Sequence, residues 1–395
     1  MDRVVPLALS TADAQPPTAG AVIVGGGIIG VSIAWHLAKS GVEDVVVIER
    51  SEIGSGSSAK PLGGVRANFS DPSNIELGKR SLQAFDRFAE DFGIDIGLNK
   101  VGYLFLARDE LQLAGMRDAV EVQNEMGIDS RIVSPEEAHR INPLVDPSVL
   151  TGGSYSPDDG FAQPSRIVEG YMRAAQDLGV TFLNRTQVMG ISTSAGQVRS
   201  VLTQRGEITT EAIICCAGAW SAAIGQMAGV QLPVNPVRRL IGLTSDWSEQ
   251  LPTVPFTLDL STTMYFHNAG RGLLLGVSHQ EESSFCRDFS YEWLDSFRQA
   301  AAICAPALSR PEIVSGWAGL YENTPDRNAV IGQAREVAGF FYATGFSGHG
   351  LVQAPAVGEL VADLFHGRAS FIDAAPLSVE RFEDGGAVLS ETNII

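Results

Sequence analysis

The chain has 395 residues, 45% of them hydrophobic and 19% charged, the composition of an ordinary globular protein of two domains or one large one. Its 28 lysines and arginines against 46 aspartates and glutamates give a net charge of −18, which disfavours nucleic acid and anionic membranes as partners. The four cysteines, Cys215, Cys216, Cys286 and Cys304, form no C-x-x-C pair and no metal-ligand spacing with histidine, so no metal is expected and a reduced, cytoplasmic setting fits.

Residues 1–19 carry Pro16 and Pro17 but no basic n-region, and read as a flexible extension, not a signal peptide. Residues 21–50 then run as an apolar strand, a glycine turn, a small-residue helix closed by Gly41 and a second strand ending in an acid. Gly25, Gly27 and Gly30 occupy the glycine positions of G-x-G-x-x-G. There the turn must be tight, the backbone must approach a pyrophosphate, and helix must pack closely on strand. The helix that starts at Ile28 and Ile29 points its free N–H groups and positive dipole end at such a diphosphate. Glu49, 19 residues after Gly30, is placed to accept hydrogen bonds from the adenosine ribose and would repel a 2′-phosphate, which argues against NADP. Residues 21–38 contain no ionised side chain and are long enough to mimic a membrane span, but three glycines at motif spacing favour the globular reading, so no span is expected.

Apolar residues at helical spacing predict a helix over 73–92 that stops at Gly93, a strand over 101–107, a helix over 111–126 and a short helix over 135–139 behind Ser134 as N-cap. A helix over 167–178 ends at Gly179, and strands over 180–183, 188–192, 198–203 and 212–216 read as a meander. Strands over 264–266, 272–278 and 312–320, with a helix over 291–304, suggest a second sheet. Residues 339–365 run from a short aromatic strand through a glycine-rich loop into a helix whose buried stripe is Val357, Leu360, Val361 and Leu364, with Pro355 in or near its first turn. Gly345, Ser347, Gly348, His349 and Gly350 open that helix, and its N–H groups suit the N1 and C2 carbonyl region of a reduced, anionic flavin.

These segments resemble the flavoprotein amine and amino acid oxidoreductases, the family of sarcosine oxidase, glycine oxidase, D-amino acid oxidase and the beta subunits of dye-linked proline dehydrogenase. The resemblance is carried by GGGIIG with Glu49 and Arg50, by GSGSSAKPLGGVR, by WAGLYENTPDRNAVIG over 317–332 and by ATGFSGHG over 343–350, and it spans most of residues 20–370. It implies an α/β (α+β) fold: a Rossmann-like FAD-binding domain from non-contiguous segments (20–98, 160–232, 313–372), and a substrate domain with a mixed or antiparallel sheet (99–159, 233–312). Residues 1–19 and 373–395 are left as extension and tail. FAD is the implied cofactor, with Glu49 at the ribose, Arg50 and Ser57, Ser58 and Lys60 along the diphosphate and ribityl chain, Val188 at the adenine, and Ala217, Gly218 and Trp220 beneath the diphosphate.

Arg66 aligns with the arginine that holds the substrate carboxylate in sarcosine oxidase, and a guanidinium fork fits a carboxylate by two parallel hydrogen bonds. Tyr265 and His279 fall near substrate-facing positions of the family, with His267 as an alternative to His279. Gly319 stands where sarcosine oxidase carries its flavin-bonded cysteine, and Lys60 near the flavin-bonding histidine of dimethylglycine dehydrogenase-like proteins, which implies FAD without a covalent link. Leu274 and Val352 replace two lysines of sarcosine oxidase, so oxygen is not assured as acceptor. The implied reaction is hydride removal from the carbon beside a neutral amine to flavin N5, giving an imine that hydrolyses, on a small carboxylate-bearing amine of sarcosine, proline or glycine type. A 2-hydroxy acid oxidoreductase of the same fold, and an FAD subunit of a multi-subunit amino acid dehydrogenase, are the alternatives; a homo-oligomer or a partner subunit is compatible with either.

Overall fold

The computed structural model describes residues 11–393 except 13, 61, 248–250, 279–282, 384–387 and 390. Its first sheet grows from Ala21–Val24, buried along its whole length, which pairs in parallel with Val45–Ile48 on one side and Ile213–Cys215 on the other. Thr181–Leu183 extends one edge in parallel, Phe340–Thr344 the other, and Val330–Gln333 closes that second edge antiparallel. Unbroken apolar runs such as VVVI are what strands covered on both faces require. Alternate residues separate the two faces. Ala21, Ile23, Val45 and Val47 pack against the helices Ile28–Lys39, Pro164–Asp177 and Gly350–Phe365, whereas Val22, Val24, Val46 and Ile48 pack against a three-stranded antiparallel layer and the helix Ser221–Ala228.

The second sheet has eight strands in the order Ile313–Asn323, Asn235–Thr244, Gly272–Val277, Met264–Ala269, Phe256–Asp259, Tyr103–Ala107, Gly152–Ser156, Arg131–Val133. Every neighbour pair is antiparallel except Phe256–Asp259 with Tyr103–Ala107, so the sheet is mixed, as the resemblance implies. One face, with Leu104, Leu106, Leu240, Met264 and Phe266, packs on the helix Trp293–Cys304. The opposite face, with Tyr103, Phe105, Phe256, Leu258 and Tyr265, turns towards the first sheet and positions the site.

Several elements differ from the sequence reading. The helix expected over 73–92 is two, Pro72–Asp86 and Phe88–Phe92, parted at Arg87 and ended by Gly93 at φ 67°. The meander consists of Val188–Ser194, Gln197–Thr203 and Gly206–Thr209; Thr181–Leu183 and Ile213–Cys215 leave it for the parallel sheet, Ile213–Cys215 because its three buried apolar residues fit the middle of that sheet. Strand Ile313–Asn323, expected in the second sheet although its residues also fall within 313–372 of the FAD-binding segments, is hydrogen-bonded along its length to Asn235–Thr244 of the eight-stranded sheet. Pro355 lies inside its helix, past the first turn. The described part of the N-terminal extension is fastened: Ala12 N–H donates to the Phe182 carbonyl (3.0 Å) and Ala19 N–H to that of Thr209 (2.9 Å). The tail is fastened too, by Arg381 in a bidentate pair with Asp326 at 2.8 and 3.0 Å. Among the described residues no helix is long and apolar enough to cross a membrane.

Candidate active site

The glycine turn is built by backbone meeting backbone. Gly25 leaves its strand at φ 115°, and a Cβ there would lie 2.2 Å from the Cys216 carbonyl oxygen; a Cβ on Gly30 would lie 1.9 Å from that of Gly25. No side chain can be added at either place without moving main chain. The helix Ile28–Lys39 has Gly27 as N-cap with no side-chain cap of its own, and the Ser58 hydroxyl, 30 residues on, accepts the Ile28 N–H at 2.8 Å. Glu49 is held beside the turn, its Oε2 accepting the Gly26 N–H (3.0 Å) and its Oε1 the Ser51 N–H (2.8 Å). The Arg50 guanidinium lies 3.6 Å over the Trp220 ring.

The second glycine segment faces the same space. Gly345, Ser347 and Gly348 all have positive φ, and a Cβ on Gly348 would fall 2.6 Å from the Tyr321 ring. His349 is the N-cap of Gly350–Phe365, and this helix lies so close to Ile28–Lys39 that a Cβ on Gly358 would meet Ser32 Oγ and His36 Nδ1 at 2.4 Å. Two helix N-termini from opposite ends of the chain therefore open onto one cavity.

That cavity, about 340 Å³, runs from Gly25, Gly27, Ile28, Ile29, Glu49 and Arg50, past Val188, Ala217, Gly218 and Trp220, along Ser57, Ser58 and Lys60, to Ser347, Gly348, His349 and Gly350. Its far end is the eight-stranded sheet, where residues two apart turn inward: Tyr103 and Phe105, Phe256 and Leu258, Arg239 and Ile241, with Tyr265. Gly319 keeps this wall close to the loop, since its Cβ position is 3.1 Å from Lys60 Cβ, and Trp317 Nε1 donates to the Lys60 carbonyl at 2.7 Å. A narrow glycine-lined cradle with two converging helix N-termini and a carboxylate at the strand end fits a dinucleotide such as FAD.

Arg66 sits at the sheet end of the cavity, only 6% exposed, 3.9 Å over the Phe69 ring. Its Nη1 donates to the Asn68 side-chain and backbone oxygens (3.0 and 3.3 Å), and its Nη2 to the Asn393 carbonyl (2.5 Å). Nη2 also meets His349 Nε2 at 3.2 Å; since a guanidinium only donates, Nε2 accepts and the imidazole is neutral. Burial, and then the Arg66 charge, hold the His349 pKa well below the ordinary histidine value. Behind Arg66 lies Asp159, whose Oδ1 accepts the Ala67 N–H at 2.8 Å and whose pKa burial pushes up to about 7. Burial likewise raises Glu322, beside the Phe346 N–H, to about 7. It raises the phenols of Tyr103, Tyr265 and Tyr321, which stay neutral donors.

Most of the residues singled out from sequence line this one cavity. Gly30 and Gly345 act behind the wall as packing points, and His279 lies outside the described residues. His267 is not in the wall: its ring stacks on Phe256 at 5.1 Å, its Nδ1 bonds the Asn268 carbonyl, and burial lowers its pKa to about 4. Asp71, five residues beyond Arg66, caps the helix Pro72–Asp86. Sequence reasoning missed Tyr103, Arg239, Tyr321, Asp159 and Asn393. Tyr321 lies within the quoted WAGLYENTPDRNAVIG segment and Tyr103 in a predicted strand, where period-two alternation could have put each on an inward face. Asp159 and Asn393 carry no local signal.

Comparison with known proteins identifies the family and the fold. The family described as "DAO: FAD dependent oxidoreductase" matches residues 21–364. The solved structure of L-proline dehydrogenase from P. horikoshii superposes with a TM-score of 0.88 at 32% identity, covering 94% of this chain and 99% of that one. FAD-dependent oxidoreductase domain-containing protein 1 of Xenopus laevis is 30% identical over 98% of this chain and 86% of its own length. The 4-methylaminobutanoate oxidase (formaldehyde-forming) of Paenarthrobacter nicotinovorans is 27% identical over 97% of this chain, which spans only 48% of that enzyme's length.

Proposed function

The chain belongs to the FAD dependent oxidoreductase family, an enzyme family of amine and amino acid oxidases and dehydrogenases, and on that premise we propose that it oxidises a C–N bond of a small secondary amine or N-substituted amino acid bound by its carboxylate. When bound, FAD supplies the two-electron acceptor for that bond. The residues toward it are Glu49 for the adenosine ribose, the Ile29 N–H with the Ser58 hydroxyl for the diphosphate, Ser57 and Lys60 along the chain between, and the N–H groups of Gly348 and Gly350 for the flavin edge.

The observation that carries the substrate reading is Arg66. Among the described residues its hydrogen bonds go only to neutral partners, the Asn68 and Asn393 oxygens and His349. A cation buried without a bonded carboxylate is stabilised strongly by an anionic ligand, and in a chain of net charge −18 it gives that ligand local attraction. Opposite Arg66, the rings of Tyr103, Phe105 and Phe256 make an apolar wall that desolvates an ammonium and so favours the neutral amine that C–H cleavage needs. His349 Nε2 is turned to Arg66 and accepts from it. This favours an amine over a 2-hydroxy acid, whose hydroxyl proton requires a base.

The test is a panel of sarcosine, proline, glycine and N-methyl amino acids beside 2-hydroxy acids, with loss of the flavin absorption band followed without oxygen. Amines should bleach the band and hydroxy acids leave it. Arg66→Ala should weaken carboxylate-bearing substrates by roughly 2–5 kcal/mol. Bleaching by the best amine at unchanged concentration in that variant rejects the carboxylate assignment. Oxygen uptake measured against dye reduction then identifies the acceptor class.

A further inference from the structure

The segment 391–393 is joined to Arg66 and to the helix beside it. The Glu391 carboxylate accepts from Ser70 N–H (3.0 Å) and Oγ (2.8 Å), from Asp71 N–H (3.0 Å) and from Asn74 Nδ2 (3.3 Å), at the start of Pro72–Asp86. A carboxylate here gathers the donors a helix N-terminus leaves over. Thr392 N–H donates to Ser70 Oγ (2.7 Å), and Glu391 turns the chain by accepting the Asn393 N–H (2.8 Å). Asn393 then reaches into the cavity wall, its Nδ2 on the Asn68 carbonyl (3.0 Å) and its carbonyl on Arg66 Nη2 (2.5 Å).

As arranged, both terminal nitrogens of Arg66 are engaged: Nη1 by Asn68, Nη2 by Asn393 and His349. A carboxylate cannot take two parallel bonds from this fork until a partner leaves. Asn68 is two residues from Arg66 in the same stretch of chain and His349 is the N-cap of Gly350–Phe365, whereas Asn393 holds Arg66 through a single carbonyl oxygen at the far end of an anchor made by Glu391.

We propose that 391–393 is a displaceable strap: its Asn393 carbonyl caps Arg66, a substrate carboxylate replaces it, and Glu391 is the positioning residue that sets how tightly anions bind. The exchange is favoured because an ionised acceptor makes a stronger bond to guanidinium than a neutral carbonyl does. The idea rests on the reading of Arg66 as the carboxylate site.

The experiment uses the FAD-loaded enzyme and two probes that cannot both use the site in the same way: cyclopentanecarboxylate, an anion without an amine, and pyrrolidine, an amine without a carboxylate. Binding is read from perturbation of the flavin spectrum. In Glu391→Ala the strap loses its anchor, and cyclopentanecarboxylate should bind about tenfold more tightly, the value of one lost competing hydrogen bond, with pyrrolidine unchanged. Ser70→Cys with Thr392→Cys, in a Cys286→Ser background that removes the exposed free cysteine, locks the strap when oxidised. The oxidised protein should bind cyclopentanecarboxylate about tenfold more weakly than the same protein reduced. That pair decides the matter even if Glu391→Ala does not fold. Equal affinities in oxidised and reduced protein, or weaker anion binding in a folded Glu391→Ala, overturn the strap. Arg66→Ala separates the two readings: if it binds cyclopentanecarboxylate as wild type does, the carboxylate site itself is wrong; if it loses the anion while the strap variants change nothing, only the strap is.

Discussion

At the glycine turn the cavity wall is main chain, with Gly25 against Cys216 and Gly30 against Gly25 at distances that leave no room for a methyl group. At the opposite end the wall is side chain. His349 and Asn393, 283 and 327 residues from Arg66 in the chain, each bond to it in front of an aromatic sheet face. Backbone contacts are all or nothing, because main chain cannot yield without unmaking strand and helix. A hydrogen-bonded cluster can exchange partners one at a time. A rigid cradle of that kind suits one fixed cofactor, and a cluster of exchangeable hydrogen bonds suits the ligand-dependent strap proposed above.

The largest expected effect tests the rigid end. Gly30→Val puts branched carbons where 1.9 Å is available, and should destabilise the fold by at least about 3 kcal/mol and yield protein that purifies colourless. A stable yellow Gly30→Val protein would mean that the turn is less fixed than its contacts indicate. His349→Leu probes the adaptable end by leaving a buried Arg66 N–H without its acceptor, a loss of about 1–3 kcal/mol. Melting temperature should fall while cyclopentanecarboxylate binds more tightly, because the freed N–H is open to a carboxylate, and FAD affinity should change less; equal changes for both ligands would erase the distinction between the two ends.

Next in size is the pH dependence of stability. His36 and His267, lowered by burial to about 4, and His349, lowered well below 6.5, are neutral in the folded state and protonate on unfolding. Their stabilisation is present above the unfolded value of 6.5 and is lost as pH falls toward the folded values. Asp159 and Glu322, raised by burial to about 7, run the other way, their stabilisation full below the unfolded carboxylate values near 4 and lost as pH rises through 7. Between pH 5 and 6 three histidines take up protons on unfolding and two carboxyls release them, so stability should rise with pH by about 1.4 kcal/mol per unit for the net proton. It should level off near pH 6.5 and decline slightly above it. Urea titrations across this range check the sign, and Asp159→Asn should remove part of the decline. The smallest effect is Ser58→Ala, which removes the hydroxyl that caps Ile28 and should lower stability by about 1 kcal/mol and weaken FAD without changing anion binding in the FAD-loaded enzyme.

Legibility in the sequence follows the same division. Gly25, Gly27 and Glu49 lie within 25 residues of one another, and the chemistry of a tight turn, a helix start and a strand-end acid is local, so the pattern can be read in order. The loop at 345–350 is local in the same way. The eight-stranded sheet was seen only in part: strands at 131–133, 152–156, 235–244 and 256–259 are short or carry polar residues inward, and their pairing partners lie far off in the chain. Arg239 in such a strand gives no sign that it lines a cavity.

By itself the sequence determined the glycine turn, the glycine-rich helix start at 345–350 and a place for Arg66 beside them, because each depends on residues that are neighbours or on a motif with fixed spacing. The tertiary structure alone decided who surrounds Arg66. Whether that guanidinium meets Asp71, Asp159, His349 or the Asn393 carbonyl depends on how Pro72–Asp86, Gly350–Phe365 and residues 391–393 pack together, and long-range packing is set by the sum of many weak contacts that no short stretch of chain encodes.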